Sequence, residues 1–291
     1  MKFGPYSFEA SNLDKELFPE SGFTKSDLIE YYTEVADYLL PHAKDRPLAM
    51  HRFPDGIEGK DFFQKDVPDY FPDWIHTVEV EREEGSIHML TADNKATLAY
   101  LGQQACIAAH VFLSCTPQLR QPDKMLFDLD PPQDRFDLVV EAAKALREHL
   151  ERVYGLMAFV MTSGSAGLHV VVPLRPQADF ERVRSFARRV SEEVVEQHPD
   201  DFTVEMRKDK REGRLLIDYL RNSYGQHSIV PYGVRALPGA PVATPLDWEE
   251  VSRLKNGAQT YNIGSVLRRL GQKGDPWKGI AKKRQALPEA G

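Results

Sequence analysis

Apolar residues recur along this chain with two spacings, every three to four residues in some segments and every second residue in others. In the second half the two spacings alternate, and they predict a strand, a helix, two strands joined by a turn, a second helix and two further strands. These segments are 124–130, 135–153, 156–162, 168–174, 180–197, 202–206 and 214–220. The order βαββαβ predicts a ferredoxin-like (RRM-like) core, in which helices cover one face of an antiparallel sheet.

The first half predicts a mixed module of helices and short strands. Thr24 and Asp27 are spaced to form a capping box, and apolar residues at helical spacing follow them. A longer apolar stretch predicts a helix over 94–113 that carries His110 near its end. Strands are predicted at 48–53, 77–81 and 86–91, and the last two are predicted to form a hairpin. The fold class is therefore α+β, with an N-terminal α/β module joined to the ferredoxin-like core.

Length and element order predict one domain over residues 1–280. Its N-terminal module would cover 1–120 and its core 121–280. From residue 271 onward no regular apolar spacing is evident, which predicts a loosely packed end and a tail over 281–291.

Composition narrows the classes of protein to consider. Hydrophobic residues make up 42% and charged residues 28%, as in ordinary globular proteins. No apolar run is long enough to span a bilayer and no signal-peptide pattern is present, so we expect no membrane association. Cys106 and Cys115 lack metal-binding spacing, and a reducing cytoplasm is expected. The net charge of −7 argues against nonspecific coating of nucleic acid, but it allows a local cluster of basic residues to bind nucleic acid.

Two carboxylates lie within an apolar strand of the predicted core. The segment 123–132 reads DKMLFDLDPP, and residues two apart on a strand point to the same face, so Asp128 and Asp130 would stand side by side. Such a pair is unfavourable unless a cation lies between the two charges, and oxygen ligands suit Mg²⁺ or Mn²⁺. Asp218, in the later strand GRLLIDYL, would complete a two-metal phosphoryl-transfer site. The alternative is that the pair only ends a strand before Pro131.

A glycine-rich turn joins the two central strands of the core. It reads SGSAGLH and runs from Ser163 to His169. Glycines let the backbone approach an anion closely, while amide, hydroxyl and imidazole groups can all donate to phosphate oxygens. An ordinary hairpin loop is the alternative, with His169 then a strand residue without a role.

Basic and aromatic residues elsewhere offer further contacts. Guanidinium groups suit triphosphates, ammonium groups bind phosphates as point charges, and aromatic rings stack on bases. The candidates of these three kinds are Arg211, Arg221 and Arg235, then Lys15 and Lys25, then Phe62 and Phe63. Solvated surface residues are the alternative for the cations, and buried core aromatics for the two phenylalanines. His110 is equally compatible with a ligand and with a helix-end residue.

Six motifs in order carry a resemblance to a known family. They read NLDK, HRFPDGIEG with FFQK, LFDLDPP, TSGSAGLHVVVPL, GRLLIDYLRN and PYGVRALPGAPVATPLDW. Together they resemble the polymerase domain of bacterial ATP-dependent DNA ligase D, which belongs to the archaeo-eukaryotic primase superfamily. The resemblance runs from about residue 10 to about residue 280 and implies a primase-polymerase fold.

The resemblance implies a template-dependent, primer-extending nucleotidyltransferase. Such an enzyme fills or extends ends at double-strand breaks in bacterial non-homologous end joining, prefers ribonucleotides among NTP and dNTP substrates, and uses two Mn²⁺ or Mg²⁺ ions. The implied partners are DNA with 5′-phosphorylated ends or gaps, Ku and an ATP-dependent DNA ligase. The implied location is the bacterial nucleoid in the cytoplasm.

The resemblance also assigns roles to residues. Asp128, Asp130 and Asp218 resemble the catalytic, metal-binding carboxylates. The family's contacts to the nucleoside triphosphate match Ser163, His169 and Arg235 in this chain, and the resemblance puts Arg52, His110, Arg211 and Arg221 near that site. The family's aromatic pair, which stacks near the incoming base and the template, matches Phe62 and Phe63. The family's lysines that hold a downstream 5′-phosphate match Lys15 and Lys25.

Two departures from the family pattern affect these expectations. The family usually has Lys-Arg where this chain has His51-Arg52, which weakens one triphosphate contact at neutral pH. Gly233 stands where serine is common. Two other functions stay open, a primase that starts chains de novo and a non-catalytic module that binds DNA ends.

Overall fold

The computed structural model describes residues 1–132 and 135–289. The chain forms two compact units. Unit one contains 1–116, 227–244 and 261–274, and unit two contains 117–226, 245–260 and 275–291. Segments 227–244 and 261–274, which the sequence predicts in the core, therefore fold with the N-terminal module. No helix in the described part of the chain is long and apolar enough to cross a membrane.

Strands and helices alternate along the whole chain. In chain order they are β1 (Lys2–Phe3), β2 (Tyr6–Ser7), β3 (Glu16–Phe18), β4 (Phe23–Thr24), α1 (Lys25–Glu34), α2 (Ala36–Ala43), β5 (Leu48–Arg52), β6 (Phe62–Gln64), β7 (Thr77–Glu81), β8 (Ser86–Leu90), α3 (Lys95–Gln103), β9 (Cys106–Phe112), β10 (Lys124–Asp130), α4 (Phe136–Tyr154), β11 (Phe159–Thr162), β12 (Leu168–Pro173), α5 (Phe180–Gln197), β13 (Phe202–Thr203), β14 (Leu215–Asp218), β15 (His227–Ile229), β16 (Pro245–Leu246), α6 (Trp248–Val251) and α7 (Val266–Lys273). Short 3-10 turns lie at Lys208–Lys210, Leu220–Asn222, Gly257–Gln259 and Ile280–Lys283.

Unit two is built on the predicted ferredoxin-like sheet. Its strand order is β13-β14-β10-β12-β11-β16. The four strands of the βαββαβ unit occupy its centre in the order fourth, first, third, second, and each is antiparallel to its neighbour. Strand β13 is added in parallel at one edge, and β16 is added antiparallel at the other. The α+β fold class is confirmed.

Both long helices of unit two cover the same face of the sheet. Helices α4 and α5 pack against each other, and both contact β10. Met125, Phe127 and Leu129 of β10 are completely buried, because they alternate onto one face of the strand. Asp128 and Asp130 belong to the other set of alternating residues and are only partly buried. The apolar pattern thus directs the carboxylates to the opposite face of β10.

Unit one contains a second sheet with its own core. Its strand order is β15-β9-β5-β8-β7, and β6 also pairs with β5. The predicted hairpin is present, since β7 and β8 pair from Thr77–Leu90 to Glu81–Ser86. Helix α1 begins with the predicted capping box, in which the Asp27 amide donates to Thr24 and the Thr24 amide donates to Asp27.

The prediction of one long helix over 94–113 is wrong. Helix α3 ends at Gln103, Ala105 has a positive φ of 51°, and β9 follows. Strand β9 lies between β5 and β15, so both of its backbone edges are paired. A continuous apolar run suits a buried central strand as well as a helix, and the pairing with two neighbouring strands decides between them. His110 is therefore a strand residue opposite Ala49.

The predicted loosely packed end starts within helix α7 of unit one, and its residues 275–285 are docked on unit two. Trp277 is buried, and its indole nitrogen donates to the carbonyl of Val160 over 3.2 Å. The Gln285 side chain donates to the carbonyl of Met157 and accepts from its amide, and Gln285 forms a parallel bridge with Leu174. Arg284 pairs with the buried Asp123. The last two residues of the predicted tail, Ala290 and Gly291, lie outside the described part of the chain.

Candidate active site

A row of polar side chains crosses three strands of unit two. Asp128 on β10 lies directly opposite Asp218 on β14 and opposite His169 on β12. Residues that oppose each other in an antiparallel pair point to the same face. Asp130, two residues further along β10, lies opposite Leu216. Asp218 is distant in sequence from the other two carboxylates, yet all three lie on the same face of the sheet, as the sequence predicts.

Two arginines and a histidine lie beside these carboxylates. Arg211 donates from Nη1 to Asp130 Oδ2 over 2.7 Å. On Asp128, His169 Nε2 lies 3.3 Å from one oxygen and Arg221 Nε lies 3.6 Å from the other. His169 is buried, and its other ring nitrogen, Nδ1, has no hydrogen-bond partner among the described residues. The site therefore carries mixed charge, with a polar atom of His169 held away from water.

The third carboxylate has a shifted pKa. Burial raises the pKa of Asp218, and the nearby charges of Asp128 and Asp130 raise it further. The amide of Leu220, which donates to Asp218 Oδ1 over 2.7 Å, and the charge of Arg221 act in the opposite direction. The pKa of Asp218 is raised overall, with burial as the largest cause and repulsion from the two other carboxylates as an added one.

The donor set suits a hard divalent cation. Carboxylate oxygens are the ligands that Mg²⁺ and Mn²⁺ prefer, and the raised pKa of Asp218 would fall in the presence of a cation. Within the described residues, however, no three or more His, Cys, Asp or Glu side chains are gathered closely enough to hold a metal. Asp130 is instead directed to Arg211. The chemistry of the residues fits the predicted ions, and the metal-binding roles stay predictions.

The glycine-rich turn packs tightly beside the carboxylate strand. A Cβ atom on Gly167 would lie 1.7 Å from the carbonyl oxygen of Leu129, so only glycine fits there. The amides of Ser165 and Gly167 both donate to Ser163 Oγ over 3.2 Å. These amides are therefore used within the loop, whereas the Ser163 hydroxyl keeps its own hydrogen for a further acceptor.

In unit one, Arg52 is held by several acceptors. Its guanidinium donates to both the backbone and side-chain oxygens of Gln104, to Gln64 and to the Tyr70 hydroxyl, at 2.7 to 2.9 Å. It also lies 5.3 Å from the ring centroid of Phe62. The predicted triphosphate contact from Arg52 would have to share these donors.

The two phenylalanines of β6 are exposed, so the alternative of core aromatics is wrong. Phe62 is 44% exposed and Phe63 is 57% exposed. As consecutive strand residues they point to opposite faces. The Phe63 ring stacks on His51, with centroids 4.0 Å apart, and the His110 ring lies 5.7 Å from it. His51 Nε2 in turn lies 2.5 Å from Asp61 Oδ2.

Lys15 and Lys25 are neighbours in unit one. The amide of Lys25 donates to the carbonyl of Lys15 over 2.8 Å. Lys15 Nζ pairs with Asp55 over 2.6 Å, and the largely buried Lys25 donates to the carbonyl of Ser11 over 3.2 Å. Burial lowers the pKa of Lys25, as do the charges of Lys15 and Arg52. A buried ammonium group beside other cations favours an anionic ligand.

The sequence of the chain also matches a known protein family. The sequence profile of the family described as "LigD, primase-polymerase domain" matches residues 24–277. This chain belongs to that family.

Relatives and solved structures agree with this membership. The bifunctional non-homologous end joining protein LigD of Bacillus subtilis is 34% identical over 280 residues, which cover 96% of this chain and 45% of the relative. The multifunctional protein LigD of Pseudomonas aeruginosa is 32% identical over 275 residues, or 94% of this chain and 32% of the relative. The polymerase domain of Mycobacterium tuberculosis ligase D in complex with DNA has a TM-score of 0.89 and 30% identity, covering 96% and 99% of the two chains. The chain spans less than half the length of these curated relatives.

The candidate residues of this LigD primase-polymerase domain divide between the two units. Asp128, Asp130, Asp218, Ser163, His169, Arg211 and Arg221 lie in unit two, whereas Lys15, Lys25, Arg52, Phe62, Phe63, His110 and Arg235 lie in unit one. The amide of Arg235 donates to the carbonyl of Pro241 over 2.8 Å, which closes a turn. In the same segment a Cβ atom on Gly233 would lie 2.8 Å from the carbonyl oxygen of Val230, so the serine common in the family is a poor fit here.

Several neighbours of the candidate residues escaped the sequence analysis. Asp61 and Tyr70 hold His51 and Arg52, and neither has a sequence signal of its own. Asn222 lies four residues after Asp218 in the motif GRLLIDYLRN, and its buried amide hydrogen-bonds β10. The sequence signal that could have indicated Asn222 is its position, as a polar residue shortly after an acidic strand.

Proposed function

We propose that this chain is a template-dependent, primer-extending nucleotidyltransferase that fills or extends DNA ends in bacterial non-homologous end joining. The observation that carries the proposal is the placement of Asp128 opposite Asp218, with Asp130 on the same face of a ferredoxin-like sheet. A sheet face that carries three carboxylates beside arginines suits phosphoryl transfer, which needs cations near both the attacking and the leaving oxygens.

The proposed reaction is in-line attack of a primer 3′-hydroxyl on the α-phosphate of a nucleotide. Two divalent ions, Mn²⁺ or Mg²⁺, would supply activation of the hydroxyl and neutralisation of the leaving pyrophosphate. Asp128 and Asp130 would hold both ions, and Asp218 would mainly hold the one nearer the hydroxyl.

The arginines and the turn would bind the triphosphate. Arg221 is partly exposed and lies beside Asp128, so it is placed to exchange a carboxylate partner for a phosphate oxygen. The same exchange is open to Arg211 on Asp130. The Ser163 hydroxyl and the buried imidazole of His169 would add neutral donors, and Arg235 would contribute a further guanidinium.

Unit one would bind DNA. The Mycobacterium tuberculosis relative is described as a complex with DNA, and we extend DNA binding to this chain as part of the proposal. Lys15 and Lys25 would hold the 5′-phosphate at the far side of a gap, since a phosphate relieves the repulsion between them. Phe62 and Phe63 would stack on bases. His110, whose ring lies 6.5 Å from that of His51 and 5.7 Å from that of Phe63, would support that aromatic surface.

The finer assignments are part of the proposal, and family membership supports them. They include a preference for ribonucleotides, Mn²⁺ as an effective ion, and Ku and an ATP-dependent ligase as partners. A location at the nucleoid in the bacterial cytoplasm is proposed with them.

A primer-extension assay tests the proposal. The substrate is a gapped duplex with a downstream 5′-phosphate, supplied with Mn²⁺ and either NTPs or dNTPs. We expect templated addition that Asp128→Ala or Asp130→Ala lowers by about 10³-fold or more with the fold intact, as removal of a catalytic group does. If the wild-type chain extends no primer, the alternative function of a non-catalytic module that binds DNA ends would be favoured. Addition of nucleotides on an unprimed template would favour a primase. Full activity in either variant would refute the carboxylate roles.

A further inference from the structure

Strand β14 ends early beside the carboxylate strand. Its last residue, Asp218, is paired with Asp128, and the chain then turns out of the sheet through Tyr219 into the 3-10 turn Leu220–Asn222. The next residues of a continued β14 would have paired with Phe127 and Leu126. On a strand, every second residue directs its N–H and C=O to the same neighbour, so Leu126 directs both groups to the side that β14 has left.

The side chain of Asn222 occupies this position and satisfies both groups. Its Oδ1 accepts from the Leu126 amide over 2.8 Å, and its Nδ2 donates to the Leu126 carbonyl over 2.7 Å. Nδ2 also donates to the carbonyl of Tyr219 over 2.8 Å. The carboxamide thus replaces the peptide group of a missing strand residue, and it is completely buried.

We propose that Asn222 is a positioning residue, which fixes the register between β10 and β14 and thereby keeps Asp128 facing Asp218. The Asn222 side chain is bound to the residue two before Asp128 and to the residue directly after Asp218. A change of register by one residue would turn one of these carboxylates to the other face of the sheet. The inference rests on the proposed function, because the value of this alignment is the gathering of the carboxylates.

Only a primary amide can make this set of bonds. It offers one acceptor and two donor hydrogens, and each is used. In Asn222→Asp the shape is kept but both donors are lost, so the carboxylate would face the Leu126 and Tyr219 carbonyls. Groups that orient ligating side chains change metal affinity or activity by about 10- to 100-fold when they are substituted.

The experiment compares wild type, Asn222→Asp and a matched control. Ser191→Ala removes another buried polar group of unit two, since the Ser191 hydroxyl donates to the carbonyl of Ala187 within α5. For Asn222→Asp we expect kcat for nucleotide addition to fall about 10- to 100-fold while KM for the nucleotide and affinity for gapped DNA change by less than about threefold. Ser191→Ala should leave kcat near the wild-type value.

Hydrogen exchange gives a readout that does not depend on activity. The Leu126 amide should exchange faster in Asn222→Asp than in the wild type, whereas amides of α5 should not. If Asn222→Asp does not fold, Asn222→Ser is measured in the same way, and its single hydroxyl should also leave Leu126 less protected. A folded variant with kcat within about threefold of the wild type, or with the Leu126 amide still protected, would overturn the inference.

The same measurements separate this inference from the proposed function. If the wild type adds no nucleotide, the proposed function fails, and Mn²⁺ binding to the metal-free protein together with exchange at Leu126 still decides the role of Asn222. An unchanged Mn²⁺ affinity in Asn222→Asp would then count against positioning, and an affinity about tenfold or more weaker would support it.

Discussion

The guanidinium of Arg211 is bound to the carboxylate of Asp130 over 2.7 Å and is fixed from behind by two backbone carbonyls. Nε donates to the carbonyl of Glu205 over 3.1 Å, and Nη2 donates to the carbonyl of Met206 over 2.9 Å. An arginine held at three points acts as a fixed positive charge beside Asp130. The same carboxylate is a predicted metal ligand, so arginine and cation compete for it.

This competition gives a prediction for Arg211→Met. Removal of the charge should tighten binding of Mn²⁺ to the nucleotide-free protein by about tenfold, because a nearby cation at an effective dielectric of about 20 costs at least about 1.4 kcal/mol. It should also raise KM for the nucleotide if Arg211 moves to the triphosphate. Titration with Mn²⁺ and steady-state kinetics measure the two effects.

Arg207→Met is the control for that substitution. Arg207 is exposed and belongs to the same turn region, and its guanidinium pairs with Asp209. An Arg211→Met protein that binds Mn²⁺ no better than the Arg207→Met control would show that Arg211 does not compete for Asp130.

The raised pKa of Asp218 gives a prediction about stability. The folded state holds a proton on Asp218 at a higher pH than the unfolded chain does, so the stability contributed by this group is lost as pH rises from the ordinary aspartate pKa through the raised one. Asp218→Asn keeps an acceptor for the Leu220 amide and removes the charge. We expect this variant to lose extension activity yet to melt no lower than the wild type at neutral pH.

Thermal unfolding of both proteins between about pH 4 and pH 8 checks this expectation. The difference in Tm should grow in favour of Asp218→Asn as pH increases, and added Mn²⁺ should raise the Tm of the wild type more than that of the variant. A variant that is less stable than the wild type at every pH would contradict the charge argument.

The pair Lys15 and Lys25 gives a prediction about DNA ends. The double variant Lys15→Ala with Lys25→Ala should lose about 10- to 100-fold of the preference for 5′-phosphorylated over unphosphorylated gaps, since a hydrogen bond between charged groups contributes about 1.5–3 kcal/mol. Because the pKa of Lys25 is lowered, this lysine loses its proton at a lower pH than an ordinary lysine does. As pH rises, the preference of the wild type for 5′-phosphorylated gaps should therefore weaken earlier than it would with an ordinary lysine. Competition binding with the two kinds of DNA measures both effects.

Lys44→Ala with Lys95→Ala serves as the matched control, because both lysines are exposed residues of unit one. An equal loss in this control would assign the effect to overall charge. A preference that survives in the Lys15 and Lys25 double variant would remove the pair from the 5′-phosphate site.

The exposed ring of Phe63 gives a prediction about base stacking. Phe63→Ala should weaken binding of template or nucleotide by about 10- to 100-fold, since stacking of a base on an aromatic ring contributes about 1–3 kcal/mol. Phe63→Tyr, which keeps the ring above His51, should stay near the wild type. Fluorescence binding with a single-stranded overhang measures the affinities, and equal values for all three proteins would exclude stacking at Phe63.

Local pattern was sufficient for the βαββαβ elements of unit two. Apolar residues alternate along β10 and recur at helical spacing along α4 and α5, and each signal lies within one segment. The capping box at Thr24 and the hairpin of β7 and β8 were predictable for the same reason. Each depends on residues that are close in sequence, so the physics of one segment determines it.

The sequence by itself determined that acidic strands and a glycine-rich turn belong to one α+β core, because periodicity and composition are properties of short segments. Only the tertiary structure decided that β9 is a strand and that the segment through Gln285 is docked, since partner strands supply the hydrogen bonds in both cases. It also decided that Asp128 faces Asp218 and that Asn222 fills the edge that β14 leaves open. Register and side-chain partners join residues far apart in the chain, and no local spacing specifies them.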